Sequence, residues 1–563
     1  MHFAHLTAAL AGISAVAALQ NPHSKVPKKA KRVPSVQHEN KHAHHKRQSN
    51  YLTSKTTKFA VNGSAIPEVD FDIGESYAGT LSIDSNSSSA DALWFWFFPS
   101  ENPAACEEIV IWLNGGPGCS SLDGLLQENG PFLWQSGTYS PIKNPYSWVN
   151  LTNMIWVDQP VGTGFSPAKN GTPQSIKNEH DVAVDFAGFW KNFMQTFDLE
   201  GKKVYITGES YAGQYIPYIA EYFLDQNNTD YYNVSGIQIN DPSINNDDTL
   251  IEAPSVWHLN EYANVFSLNA STMADVNERA EKCGYFAFME NALTFPPTGK
   301  LPNAPNSSEP GCDVWTDIIN AAIYVNPCFN LYRRILYLEK CLLDVLTAVD
   351  LTDFCPFLYD PLGFPSLGWG PNDYFNRSDV QKAINAPPTD YTICGDDSLG
   401  LLDPGDASPP SALGPLPGVI ERTNNVIIGH GWLDYLLLAN GTLATIQNMT
   451  WNGLQGFQER PSDDFFVPYH PGMAEVLYEI SYQPIPATPA ENVAGAGLLG
   501  TTHTERGLTF VTVNLAGHEI PQYVPGASYR QLEFLLGRIP SLTTTGDFTT
   551  QSGNFTGTTG PSR

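Results

Sequence analysis

Short apolar, β-prone runs alternate with longer stretches of helical spacing across residues 90–240. Leu93–Phe98, Ile109–Leu113, Met154–Val157 and Lys203–Thr207 are the strand-like runs. Ahead of the last of them, residues 176–196 bring Val182, Val184, Phe186, Phe189, Trp190 and Phe193 round at helical spacing. Strands alternating with helices predict an α/β fold, a largely parallel sheet covered on both faces. Residues 245–375 break the rhythm with Pro-rich loops, a helical stretch at Tyr332–Val349 and five of the eight cysteines. They read as a disulfide-stapled, partly helical insertion lying over the sheet. The α/β pattern returns with strands at Asn425–Ile428 and Leu508–Leu515 and a last helix near Ala527–Leu536. After Pro540 the chain is rich in Thr, Ser and Gly, and 541–563 is expected to be a disordered tail. The tail has no apolar end, which argues against a C-terminal lipid anchor.

The N-terminal segment is of two kinds. Phe3 to Leu19 is mostly small or apolar, and Ala15-Val16-Ala17 forms an A-x-A cleavage pattern, so 1–19 reads as a signal peptide rather than a buried helix. Residues 20–47 carry Lys25, Lys28, Lys29, Lys31, Arg32, Lys41, Lys46 and Arg47 against the single acid Glu39. Such a stretch buries too little apolar surface to fold alone. It ends in the dibasic pair Lys46-Arg47 and reads as a basic propeptide, leaving 48–540 as one catalytic-size domain. Removing these eight basic residues and one acid takes the formal net charge from −28 to −35. That acidic balance argues against nucleic acid or an anionic membrane as partner. With 42% hydrophobic and 12% aromatic residues the remainder is a globular chain with a sizeable core.

Eight cysteines behind a signal peptide suggest disulfides. None lies in a C-x-x-C pair, so zinc and thioredoxin chemistry find no support, and no cofactor is expected. The N-x-S/T acceptors are Asn62, Asn86, Asn150, Asn170, Asn227, Asn233, Asn269, Asn306, Asn376, Asn440, Asn448 and Asn554, a number that fits a glycosylated, exported protein. The expected location is extracellular, with delivery to a vacuole left open.

The chemistry begins at Gly208-Glu209-Ser210-Tyr211-Ala212-Gly213, a G-x-S-x-G pattern. The pattern alone is weak, with about 0.2 chance matches in a chain of this length. Its context is specific: it follows the strand-like Val204-Tyr205-Ile206 and precedes a helical run through Tyr215 to Leu224. That strand–turn–helix is a nucleophile elbow, which lifts the serine hydroxyl above the sheet and aims helix N–H groups at the substrate. The serine needs a base, which in such folds follows an acid in the chain. His470, His503 and His518 are available. His518 stands just past the strand at Leu508–Leu515, whereas His470 and His503 read as surface-loop residues. Asp434 stands just past Asn425–Ile428 and would hold the imidazole tautomer. Asp403 and Asp406 are its rivals, in a Pro/Gly-rich loop where solvated carboxylates are usual.

Together with Trp112-Leu113-Asn114-Gly115-Gly116-Pro117-Gly118-Cys119-Ser120-Ser121, the elbow motif resembles the serine carboxypeptidases, over about residues 65–540 and most closely those secreted by filamentous fungi. The resemblance implies an α/β-hydrolase that removes C-terminal residues from peptides and proteins. It makes Ser210 the nucleophile, His518 the base and Asp434 the orienting acid. Gly116 and Tyr211 would supply the oxyanion-hole N–H groups. Asn114 and Glu209 would bind the substrate's terminal carboxylate with help from Gly115 and Trp112, and Glu128 aligns with a second glutamate of many members. A Cys119–Cys394 disulfide is implied as well. The chain departs from the family where Trp432 replaces an acidic residue and where Glu519 stands in place of a methionine of some relatives. The 245–375 insertion matches no motif, so side-chain specificity stays open, as does oligomeric state.

Two carboxyl groups facing a carboxylate make sense only if they hold protons, because close carboxyls cannot both ionise cheaply. Activity is therefore expected to favour acid. An esterase or acyltransferase on the same scaffold would keep the triad without needing the carboxylate-binding set. A catalytically dead binding module would need no triad at all.

Overall fold

The structure, a computed structural model, describes residues 51–84, 91–135, 140–168, 176–326, 329, 374–394, 405–470 and 495–548. The expected helical stretch Tyr332–Val349, the segment 1–47, Asp403 and the acceptors Asn86, Asn170 and Asn554 lie outside them.

Alternation of side chains along the strands sets the architecture. In Ala92–Phe98 every residue is buried. Leu93, Phe95 and Phe97 join one core, while Trp94, Trp96 and Phe98 join another on the opposite face. Ile109, Ile111 and Leu113 likewise part from Val110 and Trp112. A strand buried on both faces reads as a continuous apolar run, because its period of two is hidden. The sheet is therefore a wall between two cores.

Its strands, numbered along the chain, are β1 (Ala60–Val61), β2 (Ser76–Ser82), β3 (Ala92–Phe98), β4 (Glu108–Leu113), β5 (Asn153–Asp158), β6 (Lys203–Glu209), β7 (Val234–Asn240), β8 (Val426–Gly431), β9 (Asp463–Val467), β10 (Gly497–Glu505) and β11 (Leu508–Val513). They lie in the order β1-β2-β3-β5-β4-β6-β7-β8-β11-β10-β9. From β5 to β11 across the middle the pairing is parallel, and antiparallel strands flank it. The large α/β sheet expected from the sequence is present, and with it antiparallel flanks whose polar strands, such as β10, the apolar pattern did not reveal.

Helix α1 (Glu179–Phe197) covers one face through Val182, Phe186, Phe189, Trp190 and Phe193. Its N-cap is Asn178, whose side chain accepts from the Asp181 N–H at 3.0 Å. Helix α2 (Ala212–Asp225) packs on the same face. The other face is covered by α3 (Pro525–Leu535) through Tyr529, Leu532 and Leu535.

Registers align the outgoing ends of the parallel strands: Leu113 lies beside Gly208, Glu209 beside Asn240, Asn240 beside Gly429 and Gly431 beside Val513. The loops leaving β4, β6, β7, β8 and β11 thus emerge side by side, where α/β sheets place their ligands. The insertion is partly helical where described, with a long loop over 294–314, and carries the Cys283–Cys312 disulfide. It reaches the β8 loop through Trp315, whose indole N–H donates to the Tyr435 carbonyl at 2.9 Å. No helix among the described residues is long and apolar enough to cross a membrane.

Three expectations need correction. His470 is not a surface residue: it is buried between Tyr146 and Phe548, ring centroids 4.9 and 4.0 Å away. His503 is not in a loop but on β10, 3.2 Å from Glu505 Oε2. The folded body also runs past Pro540. Leu542 is 2% exposed, its carbonyl accepts from the Phe466 N–H at 3.1 Å, and Phe548 packs on Tyr529. Among the glycan acceptors Asn62, Asn227 and Asn269 are exposed, whereas Asn150 is buried and has no room for a glycan.

Ending the chain after Pro540 removes Leu542 and Phe548 from the core. At about 1.5–3 kcal/mol per buried large apolar side chain, that truncation lowers stability by about 2–4 kcal/mol. Ending it after Phe548 keeps both contacts. Urea midpoints of the two truncations and the full chain check this, the first falling clearly below the other two.

Candidate active site

The strand–turn–helix around Ser210 is tight. Ser210 takes φ 60°, a left-handed conformation, between β6 and α2. Its N–H donates to the Asn240 carbonyl at 3.0 Å, and its carbonyl accepts from the Gly213 and Ser243 N–H groups, each at 2.9 Å. Position 208 has to be glycine, since a Cβ there would lie 2.1 Å from the Leu113 carbonyl oxygen. The turn holds a non-glycine residue at φ above zero because these contacts overdetermine it, as functional turns do.

The loop after β4 lies directly on this elbow. A Cβ on Gly115 would stand 2.4 Å from the Tyr211 nitrogen and 2.8 Å from Ser210 Cβ. Only a bare backbone fits, which sets the loop carrying the Gly116 N–H against the elbow carrying that of Tyr211. Among the described residues neither N–H is taken up in a turn or loop hydrogen bond. The loop is pinned from behind. Asp158 Oδ1 accepts from Ser120 Oγ at 2.7 Å and from the Ser121 N–H at 2.9 Å, and Cys119 is joined to Cys394 by the disulfide.

His518 and Asp434 come from the loops after β11 and β8. Those loops are laced together by the Trp432 N–H to Val513 carbonyl bond (3.0 Å) and the Leu433 N–H to Ala516 carbonyl bond (2.8 Å). His518 Nδ1 lies 2.8 Å from Asp434 Oδ2, and both side chains are buried. Asp434 Oδ1 accepts from the Leu436 and Leu437 N–H groups at 2.8 and 3.2 Å. With Asp434 Oδ2 as the acceptor facing it, Nδ1 is the ring nitrogen that carries the proton, and Nε2 is the ring's acceptor nitrogen. Asp406, a rival in sequence, instead accepts from the Tyr211 hydroxyl at 2.8 Å.

Beside the elbow lies a buried acidic cluster. Asn114 Nδ2 donates to Glu209 Oε1 at 3.0 Å, and carboxylate oxygens of Asp123, Glu128 and Glu209 lie within 4.8 Å of one another. Asn114 Oδ1 accepts from the Trp112 indole N–H at 2.7 Å and from the Gly124 N–H at 3.0 Å, which fixes the amide with its NH₂ toward the acids. Trp112 is itself wholly buried, so it acts on this site through Asn114. Glu519, partly buried, adds a fourth acid. Burial, followed by the charge of Glu128, raises Glu209 well above the carboxylate range. Burial and then Asp123 raise Glu128 and Glu519 in the same way. Three close carboxyls are also a conceivable cation site, but the Asn114 amide points a donor among their oxygens. That suits an incoming carboxylate and opposes a hard cation, which needs acceptors only.

Asp123, Asp241 and His430 were not singled out from the sequence. Asp123 stands nine residues past Asn114, two beyond the end of the Gly-rich motif. Asp241 directly follows β7, and its position past a parallel strand is the signal that had picked out Asp434.

A nucleophile elbow on β6, an acid after β8 and a histidine after β11 on such a sheet define an α/β-hydrolase. The chain belongs to the serine carboxypeptidase family, whose sequence profile matches residues 67–537, and is a serine-type carboxypeptidase. It is 52% identical over 514 residues to a carboxypeptidase Y homolog of Arthroderma benhamiae, covering 90% of this chain and 94% of that one. It is 43% identical over 505 residues to the serine-type carboxypeptidase F of Aspergillus niger, covering 87% and 89%. The crystal structure of Kex1Δp, a prohormone-processing carboxypeptidase of Saccharomyces cerevisiae, shares the fold with a TM-score of 0.61 and 23% identity, over 86% of this chain and 97% of that one.

The raised carboxyls predict how stability varies with pH. Their folded pKa exceeds the unfolded one, so the folded state binds more protons. The stability they contribute is complete below the ordinary carboxylate range and is lost as pH rises through the raised values. Tm should fall across that window, and the Glu128→Gln/Glu209→Gln double variant should flatten the fall. An unchanged slope in a Tm-against-pH series would show that these groups are ionised in the fold.

Proposed function

We propose that this carboxypeptidase is exported and glycosylated, loses residues 20–47 by processing, and works best in acid, with Ser210, His518 and Asp434 as its triad. The observation that carries the reading is the Asn114 amide aimed at Glu209 amid the buried acids, next to the Ser210 elbow. A substrate's terminal carboxylate docks there, hydrogen-bonded by Asn114, the Gly115 N–H and the protonated Glu209 and Glu128. This places the last peptide bond over Ser210 and excludes longer C-terminal extensions, which defines an exopeptidase.

His518 Nε2 takes the Ser210 proton as Oγ attacks the carbonyl, and the Asp434 anion stabilises the resulting imidazolium. The Gly116 and Tyr211 N–H groups receive the oxyanion, each donor worth about 3 kcal/mol in the transition state. The imidazolium then protonates the leaving amine. Water, deprotonated by the same histidine, releases the acyl group from Ser210. Peptides and proteins are the substrates of this reading. The exposed acceptors Asn62, Asn227 and Asn269 support glycosylation and thus export.

Ser210→Ala should abolish both peptide cleavage and phosphonofluoridate labelling, and labelling of another serine would overturn the assignment. Asp434→Asn should cut kcat about 10⁴-fold, by loss of the correct tautomer. For substrate recognition, KM of a blocked dipeptide should rise as pH climbs through the raised glutamate pKa values, while KM of its C-terminal amide stays flatter. Glu209→Gln and Glu128→Gln should level the first profile. Parallel profiles for the two substrates would favour an esterase-type site instead.

A further inference from the structure

Behind the proposed triad lies a second pair of buried titratable groups that the mechanism above does not use. Asp241 follows β7 and His430 sits on β8, and both side chains are completely buried. His430 Nε2 lies 2.9 Å from the Leu437 carbonyl oxygen and must donate to it, so this nitrogen carries the proton. Among the described residues Nδ1 meets no hydrogen-bond partner. A second proton on that buried nitrogen would be unsatisfied, and burial lowers His430 to about 4. The imidazole is therefore neutral. Its approaches of 3.6 Å to Asp241 Oδ1 and 3.8 Å to Asp434 Oδ2 are not ion pairs.

That leaves Asp241 and Asp434 as two buried carboxyls with no lysine or arginine paired to either among the described residues. One oxygen of each, with a ring nitrogen of His518, falls within 4.8 Å of the others. The groups facing Asp241 are Asp434 and His430 from the β8 side, His518 from the β11 loop and Glu128 from the segment after β4. Apart from His518 when it is protonated, none is a cation. Both acids cannot ionise there cheaply.

The hydrogen bonds decide which one keeps the proton. Asp434 accepts from Leu436 N, Leu437 N and His518 Nδ1. Asp241 accepts at Oδ1 from the Gly431 N–H alone, at 2.8 Å, and no described group donates to Oδ2. An oxygen with no donor aimed at it is the natural seat of a hydroxyl.

We propose that Asp241 is a protonated positioning residue whose Oδ2 hydroxyl leans on the Asp434 carboxylate and, through it, sets the pH at which His518 becomes an active base. A neutral donor on Asp434 disperses its charge without adding another. His518 Nδ1 then faces a negative charge shared between two hydrogen-bonded carboxyls instead of one carboxylate alone. The arrangement suits an enzyme whose substrate site also needs protonated acids.

This inference rests on the triad assignment, which Ser210 labelling tests separately. The direct experiment compares Asp241→Asn and Asp241→Ala for the pH dependence of kcat/KM on an amide-blocked substrate, whose binding bypasses the glutamate cluster. Asn keeps a neutral donor and the acceptor for Gly431, so its acid limb should stay at the wild-type pH. Ala removes the donor, so its acid limb should move up by about 0.5–1 pH unit, the effect of one lost hydrogen bond. A downward move of a unit or more in Asp241→Asn would mean that a charge had been removed and would overturn the proposal. So would an Asp241→Ala profile that only loses height. A readout independent of activity is the infrared band of a buried protonated carboxyl in the Ser210→Ala background. It should lose intensity on Asp241→Asn, and an unchanged band would also overturn the proposal.

Discussion

Asp123, Glu128, Glu209 and Glu519 are gathered at the outgoing ends of the parallel strands, and burial with mutual repulsion raises the three glutamates well above the carboxylate range. Much of the site follows from that constraint. Four close acids in a partly dry environment cannot all be charged, so protons are built into the site as firmly as side chains. Held protons turn acceptors into donors, which is what recognition of a peptide's terminal carboxylate requires. The same logic operates behind the proposed triad, where Asp241 and Asp434 share a buried space with a neutral His430. Both places become less favourable as pH rises, so the proposed preference for acid has two physical sources.

The frame that makes such crowding possible is the sheet with a core on each face. It fixes five strand exits in register, and close backbone contacts at Gly115 and Gly208 leave the loops little freedom. Repulsion among the acids is then borne by the folded scaffold. The disulfide from Cys119 to Cys394 and the anchor at Asp158 hold the β4 loop, and the insertion buttresses the β8 loop through Trp315 and Tyr435.

How much of this was legible in the sequence depended on how local the signal was. The apolar runs of β3, β4 and β5 announce doubly buried strands on their own. The elbow and the positions of Asp434 and His518 past strands could be read because fold and chemistry coincide in short segments. β10, with Gly497, Gly500, three threonines and His503, is polar and pairs only through partners nearby in space, so its composition suggested a turn. His470 and Phe548 are 78 residues apart in a low-complexity setting, and nothing local reveals that they stack. Asp123 and Asp241 look like ordinary loop acids until the strands bring them beside the others.

If the substrate's carboxylate is bound by acids that carry protons, binding must draw protons from solution wherever those acids are ionised in the free enzyme. Calorimetric titration of the Ser210→Ala protein with a peptide near neutral pH, in buffers of different ionisation enthalpy, measures the protons taken up on binding. Net uptake is expected, shrinking in acid where the glutamates are already protonated, and much reduced in Glu128→Gln/Glu209→Gln. Binding with no proton uptake at any pH, or with proton release, would contradict it.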